Sequence, residues 1–288
     1  MLSKKASNEK VIVYGHNDMD GMASAAIVKM NYPTAELIPV QYGDKPQKGA
    51  YDIIFVVDFS FDEYVMHGLI ANCITFCWID HHKSAMEKMP ELWNNEGIGG
   101  LRILIASGCK LTWAWFNPHK EAPMIINYIE DRDLWKFRYD ETKEVHEILS
   151  LKINKPEDLL SYMDLDILAG LINEGKLLLR AKQKRVRQVF NEGRKCVMNL
   201  QPAVAAIFES CFICNSNQDV SDLGNYICTQ GYDIGIVWSV RKDKIIVSLR
   251  SVKDVDVSLI AKAFGGGGHL HAAGFSVDTF EELKTIIK

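Results

Sequence analysis

The chain has 288 residues, 48% of them hydrophobic and 24% charged, with a net charge of −4. That length supports two domains with separate cores, and the acidic balance excludes a generic polyanion binder, so any nucleic-acid contact must come from a local basic patch. The opening stretch MLSKKASNEK is charged without an apolar core, and no apolar run reaches the roughly 18–20 residues that span a bilayer, so a cytoplasmic protein with no membrane partner is expected.

Residues 11–15, VIVYG, form a short β-branched run stopped by Gly15, and MASAAIVKM (22–30) reads as a helix. YDIIFVVDF (51–59) is a continuous apolar run with Asp58 near its end, as in a strand buried on both faces. FDEYVMHGLI reads as the next helix and CITFCWI (73–79) as the next buried strand. This alternation predicts an α/β domain with a mostly parallel sheet and helices on both faces, whose ligands sit outside the carboxyl ends of the strands. Asp18 and Asp20, Asp58, and then Asp80, His81 and His82 all fall on that edge. Strand alternation would turn the adjacent His81 and His82 to opposite sides.

SGCKLTWAWF (107–116) looks like a helix capped by Ser107, and PMIINYIE (123–130) like another that runs into DRDLW (131–135). Asp131 and Asp133 lie two apart and would share a face in extended chain. From Asp164 to Lys195 the pattern predicts a long helix, with seven basic residues and one acidic from Arg180 onward. This half is either a solvated helix face or a wall that attracts phosphate. Beyond Pro202 the chain reads as strand (AVAAIF), helix (DLGNYIC), two strands joined by a hairpin (DIGIVWSV and KIIVSLRS), helix (VSLIAKAF) and a glycine run, a small α+β domain. The expected division is 1–163, a helical linker 164–200, and 201–288. The seven cysteines are expected as reduced thiols. Cys211 and Cys214 form a C-x-x-C pair that lacks the second pair a zinc site needs, which favours core thiols.

Three constellations carry chemistry. In HNDMDG (16–21), carboxylates two apart after a strand can converge on a divalent cation; the competing reading is a turn and helix cap. Together with Asp58, His81 and His82, the edge supplies enough acids and imidazoles for two cations about 3.5–4 Å apart. Oxygen donors favour Mg²⁺ or Mn²⁺, and imidazole tilts the choice to Mn²⁺. Such a pair acidifies water and neutralises charge on a phosphoryl group, which points to phosphate-ester hydrolysis. In EDRDLW, Asp131 or Asp133 offers a further acid. In GGGGHLHAAG (265–274), Gly266, Gly267 and Gly268 can present backbone N–H groups to an anion, with His269 and His271 as added donors and Arg250 on the preceding strand.

In this order HNDMDG, VVDFS, IDHH, EDRDLW and GGGGHLHAAG resemble the DHH phosphoesterase superfamily in its DHH–DHHA1 two-domain form, over residues 16–274. The resemblance implies a catalytic domain holding two divalent cations, Mn²⁺ preferred and Mg²⁺ open, joined by a helix to a DHHA1-like substrate-binding domain. By motif, Asp18, Asp20 and Asp58 would be metal ligands, with Asp58 bridging. His81 would be a further ligand, and His82 would face the substrate phosphate. Asp131 best matches the last ligand, with Asp133 as the alternative. The catalytic set is then Asp58, Asp80, His81 and His82; Arg250, Gly266, Gly267, Gly268 and His269 would bind substrate. The first motif departs from the family pattern as His16-x-Asp18-x-Asp20, which leaves the role of His16 as a metal ligand open.

Chain length resembles the nanoRNase branch rather than the larger exonucleases, so the implied activity is hydrolysis of short oligonucleotides or linear dinucleotides to nucleoside monophosphates. The implied partner is a short single-stranded oligonucleotide or a small phosphorylated nucleotide, with a homodimer left open. One alternative is a phosphatase for a 3′,5′-bisphosphate nucleotide, pyrophosphate or polyphosphate; the glycine run counts against pyrophosphate. Another is a non-catalytic nucleic-acid scaffold, against which every motif acid is present.

Overall fold

The computed structural model describes residues 9–163, 165–200, 209–252 and 255–288. The charged N-terminal segment up to residue 8 and the expected strand AVAAIF lie outside them. The chain divides into two compact units between Leu179 and Arg180. No described helix is long and apolar enough to cross a membrane.

The first unit is built on a four-stranded, all-parallel sheet in the order β2-β1-β3-β4. Its strands are β1 (Val11–His16), β2 (Glu36–Val40), β3 (Ile53–Val57) and β4 (Thr75–Ile79). Alternate residues feed two cores. Ile12, Tyr14, Ile54, Val56 and Trp78 pack on one face, and Val11, Val13, Phe55, Val57 and Ile79 on the other. This double burial explains why β3 and β4 read as unbroken apolar runs. Strand β2 has no such run and carries Pro39; as an edge strand it tolerates a residue that cannot donate to a ladder.

Helices α1 (Met19–Asn31) and α2 (Glu63–Ala71) follow β1 and β3. After β4 come the short α3 (Lys83–Lys88) and α4 (Pro90–Trp93), then α5 (Gly108–Phe116), α6 (Met124–Asp133) and α7 (Thr142–Lys152). Arg102 ties the segment that follows α4 to β4, its guanidinium donating to the carbonyls of Trp93, Trp78, Gly99, Asn95 and Ile98. A 3₁₀ turn (Pro156–Tyr162) leads to α8 (Leu165–Glu192), the helix expected between the domains.

The second unit holds a six-stranded mixed sheet in the order β5-β6-β7-β8-β10-β9. The strands are β5 (Arg194–Cys196), β6 (Cys211–Asn215), β7 (Ile234–Arg241), β8 (Lys244–Ser251), β9 (Gly267–His269) and β10 (Ala272–Val277). Helices α9 (Val220–Thr229), α10 (Val257–Ala263) and α11 (Phe280–Ile286) complete it. The segment expected as linker thus contains β5 as well as helix. Cys211 and Cys214 both lie on β6 but belong to different cores, so the C-x-x-C pair is two separate buried thiols. The basic half of α8 is partly neutralised within its own unit. Lys182 Nζ stands 2.7 Å from Asp222 Oδ2, and Arg185 Nη2 stands 3.0 Å from Asp219 Oδ2.

Candidate metal centre

The carboxyl ends of β1, β3 and β4 converge. Strand β1 ends at His16, and Asp18 caps α1, its Oδ1 accepting from the Gly21 N–H at 2.9 Å. Gly21 is required there because a Cβ would fall 2.1 Å from the His16 carbonyl oxygen. The cap reading and the ligand reading of HNDMDG therefore coexist in one residue, since Asp18 Oδ2 is turned to His16 Nδ1 at 2.7 Å. Asp20 lies in the first turn of α1, buried, and is held by α5: it accepts from Gly108 N at 2.7 Å and Cys109 N at 2.9 Å. An anion at the N-terminus of a capped helix is stabilised by unpaired N–H groups and the helix dipole.

Asp58 leaves β3 in the left-handed region at φ +54°, its N–H donating to Ile79 O at 2.8 Å. Asp and Asn are among the few residues that adopt this conformation at small cost. The turn aims one carboxylate oxygen each way. Oδ2 is 3.8 Å from His16 Nδ1, and Oδ1 is 3.1 Å from His81 Nε2. His81 Nε2 also faces Asp20 Oδ2 at 3.7 Å and Asp133 Oδ2 at 3.6 Å. Three overlapping donor groups result among the described residues: His16–Asp18–Asp58, Asp20–His81–Asp133 and Asp58–His81–His82.

His81 and His82 do not point to opposite sides. Strand β4 ends at Ile79, so strand alternation no longer governs them, and their rings lie 4.6 Å apart. Asp80, expected in the catalytic set, is fully buried; its Oδ1 accepts from the His81 and His82 N–H groups at 2.7 and 3.1 Å and pairs with His82 Nδ1 at 2.7 Å. Its Oδ1 thus holds both histidines, while its Oδ2 is buried without a hydrogen-bond partner.

Of the two acids expected as the last ligand, Asp133 is the one that the structure brings to the cluster. Asp131 and Asp133 are both in the final turn of α6, where residues two apart point about 200° from each other at 3.6 residues per turn. Asp131 accepts from Arg138 N at 2.9 Å, Tyr139 N at 3.2 Å and Thr142 Oγ1 at 2.6 Å, so it organises the loop after α6. Asp133 is the one beside His81.

The electrostatics are those of a site short of positive charge. Burial first, and then the charges of Asp20, Asp18, Asp133 and Asp80, push Asp58 well above the usual carboxylate range. Burial with Asp20 and Asp18 does the same to Asp133. Asp18 is lowered: burial works against its charge, but the contact with His16 outweighs it. Burial opposes the charge on His82 as well, yet Asp80 prevails and raises it to about 9. Asp58 Oδ1 and Asp80 Oδ2 are buried and make no hydrogen bond, although His81 Nε2 stands 3.1 Å from the former. Buried polar atoms are almost always paired, so an unsatisfied Asp58 oxygen among carboxylates and imidazoles fits a pair of divalent cations. Tyr42, which the sequence offers no motif to single out, has its ring 5.8 Å from that of His16.

In the second unit the glycine run is not an open loop. Gly265, at φ +74°, ends α10: its N–H donates to Lys262 O at 3.1 Å and that of Gly266 to Ala261 O at 2.8 Å, a Schellman closure. Gly267, Gly268 and His269 form the exposed edge strand β9, paired with β10. A Cβ at Gly266 or Gly268 would strike backbone oxygens of β10 at 2.1 and 2.5 Å, so both glycines serve close strand packing. His269 pairs with Ala272, and Ala272 with Arg250, which puts all three in one cross-strand row. Arg250 Nη2 donates to Ser221 Oγ at 2.7 Å.

Comparison with known proteins agrees with this architecture. Residues 10–132 match the DHH family N-terminal domain and residues 215–288 the DHHA1 domain. An uncharacterised protein of Acanthamoeba polyphaga mimivirus is 30% identical over 77% of this chain, which spans about half (52%) of that relative. Oligoribonuclease NrnB of Bacillus subtilis is 24% identical, over 92% of this chain and 72% of its own. An exopolyphosphatase-related protein from Bacteroides fragilis shares the fold at a TM-score of 0.59 and 16% identity, covering 96% of this chain and 90% of its own. The chain therefore carries a DHH family N-terminal domain followed by a DHHA1 domain.

Proposed function

We propose that the chain is a Mn²⁺-dependent phosphodiesterase that hydrolyses short oligonucleotides or linear dinucleotides to nucleoside monophosphates. The observation that carries this reading is the divided carboxylate of Asp58, one oxygen turned to His16 and the other to His81. His16, Asp18 and Asp58 would hold one cation; Asp20, Asp58, His81 and Asp133 would hold the other. Mixed imidazole and carboxylate donors favour Mn²⁺ over Mg²⁺. When bound, such a pair polarises a phosphoryl oxygen and acidifies water at neutral pH.

The chain's own residues supply the rest. The N-terminus of α5 fixes the Asp20 carboxylate through two backbone N–H groups. Asp80 holds a proton on His82 Nδ1, so a charged imidazole stands ready to balance negative charge growing on the phosphoryl oxygens. We assign catalysis to residues 1–163 and substrate holding to 201–288, with 164–200 as helical linker. In the latter domain, Arg250, His269 and the exposed backbone at Gly267 would take the far end of the substrate. The similarity to NrnB supports an oligonucleotide as substrate, and a net charge of −4 suits a short one, because affinity for long chains rests on many phosphate contacts.

A product time course on 5′-labelled oligonucleotides, from dinucleotides to roughly twenty residues, with Mn²⁺, tests the proposal. Mononucleotide release fastest from the shortest substrates, abolished in Asp58→Ala, is the expected result. Full activity of Asp58→Ala, or no cleavage by the parent chain, contradicts it.

A further inference from the structure

The metal-centre reading leaves one conspicuous side chain unused. Tyr42 is 59% exposed, yet it sits at the mouth of the cluster, its ring 5.8 Å from that of His16 and 5.1 Å from that of Phe59. It occupies the tip of a turn fixed from both ends. Asp44 N–H donates to Gln41 O at 3.0 Å, and the Gln41 N–H donates back to Asp44 Oδ2 at 2.8 Å. Gly43 follows Tyr42 at φ +96°, the conformation that the third position of a type II turn demands. One residue before the turn, Val40 O accepts from Asn17 N at 3.0 Å, which ties the base of the turn to the first motif.

A large aromatic ring held on a locked turn, with one side on His16 and Phe59 and the remainder in solvent, is a stacking surface already in place. Pre-organisation of this kind lowers the entropy lost on binding. Phosphate alone has nothing to set against a π-face, whereas every nucleobase does.

We propose that Tyr42 is a base-stacking residue of this site, receiving the nucleobase of the nucleotide whose phosphate lies between His16 and His81. The inference rests on the phosphoesterase reading for the position of that phosphate. It makes Tyr42 a determinant of substrate class, favouring nucleotides over inorganic phosphates at the same centre.

Titration calorimetry of the full chain in Mn²⁺, with AMP and separately with inorganic phosphate, tests it. The parent chain should bind AMP more tightly than phosphate. Tyr42→Ala should weaken AMP by about tenfold while leaving phosphate unchanged, and Tyr42→Phe, which keeps the π-face, should bind AMP as the parent does. AMP binding unchanged in Tyr42→Ala, equal loss of AMP and phosphate, or no preference for AMP in the parent overturns the inference. The two proposals fail separately: a chain that binds AMP through Tyr42 but cleaves no dinucleotide keeps this inference and loses the phosphodiesterase reading.

Discussion

The first unit buries the carboxylates Asp20, Asp58, Asp80 and Asp131, whereas the second, among its described residues, buries no acid; its buried polar side chains are Lys182, Ser239, Ser251 and Ser258. A hydroxyl both donates and accepts, and it finds a partner nearby: Ser251 Oγ donates to Val255 O at 2.6 Å and Ser258 Oγ to Asp256 Oδ1 at 2.6 Å. A carboxylate only accepts, and several in one pocket repel one another. Asp131 and Asp20 escape by drawing on backbone N–H groups; Asp58 Oδ1 receives none and makes no hydrogen bond, with the His81 imidazole 3.1 Å away. One unit satisfies its polar interior from within, and the other gathers carboxylates that bound cations would complete. In the first unit, function and stability therefore pull apart.

Asp133 and Asp131 break or sharpen that contrast most strongly. Asp133→Asn should reduce hydrolysis by at least about 100-fold, as for loss of a metal ligand, with no loss of stability, because it relieves the crowding around Asp58. Asp131→Ala strands two backbone N–H groups and a hydroxyl and should destabilise the fold by about 3 kcal/mol in urea unfolding. The reverse pattern would restore Asp131 as the ligand. Glycines give a smaller effect. At Gly108 a Cβ would fall 2.5 Å from the Asp58 Cβ, so Gly108→Ala should cost about 1–3 kcal/mol and weaken Mn²⁺ binding. At Gly267 a Cβ meets nothing within 4 Å, so Gly267→Ala should stay within about 0.5 kcal/mol of the parent by the same measurement.

These contrasts also mark what a sequence carries. Buried parallel strands announce themselves as apolar runs, so β1, β3 and β4 and the acids at their carboxyl ends are legible. Strand β2 is not, because an edge strand with Pro39 has neither a continuous run nor clean alternation. The choice between Asp131 and Asp133 depends on whether DRD is helix or extended chain, and one further turn of α6 reverses which acid faces the cluster. The sequence places Asp80 in the catalytic set but not its hold on His81 and His82, because a carboxylate's role depends on what donates to it. The glycine run reads as an anion loop because a Schellman closure and a close strand pair require the same residue type as a phosphate cradle. Tyr42 gave no signal because an exposed aromatic matters only through its neighbours, and His16 and Phe59 are distant in sequence.

The central claim is that Asp58 joins two cation sites. Electron paramagnetic resonance of the full chain titrated with Mn²⁺ tests it most directly. The account predicts two Mn²⁺ per chain with a spin-coupled spectrum, and loss of the coupling with at most one Mn²⁺ in Asp58→Ala. A single uncoupled Mn²⁺ in the parent chain, or a coupled pair that survives in Asp58→Ala, would contradict it.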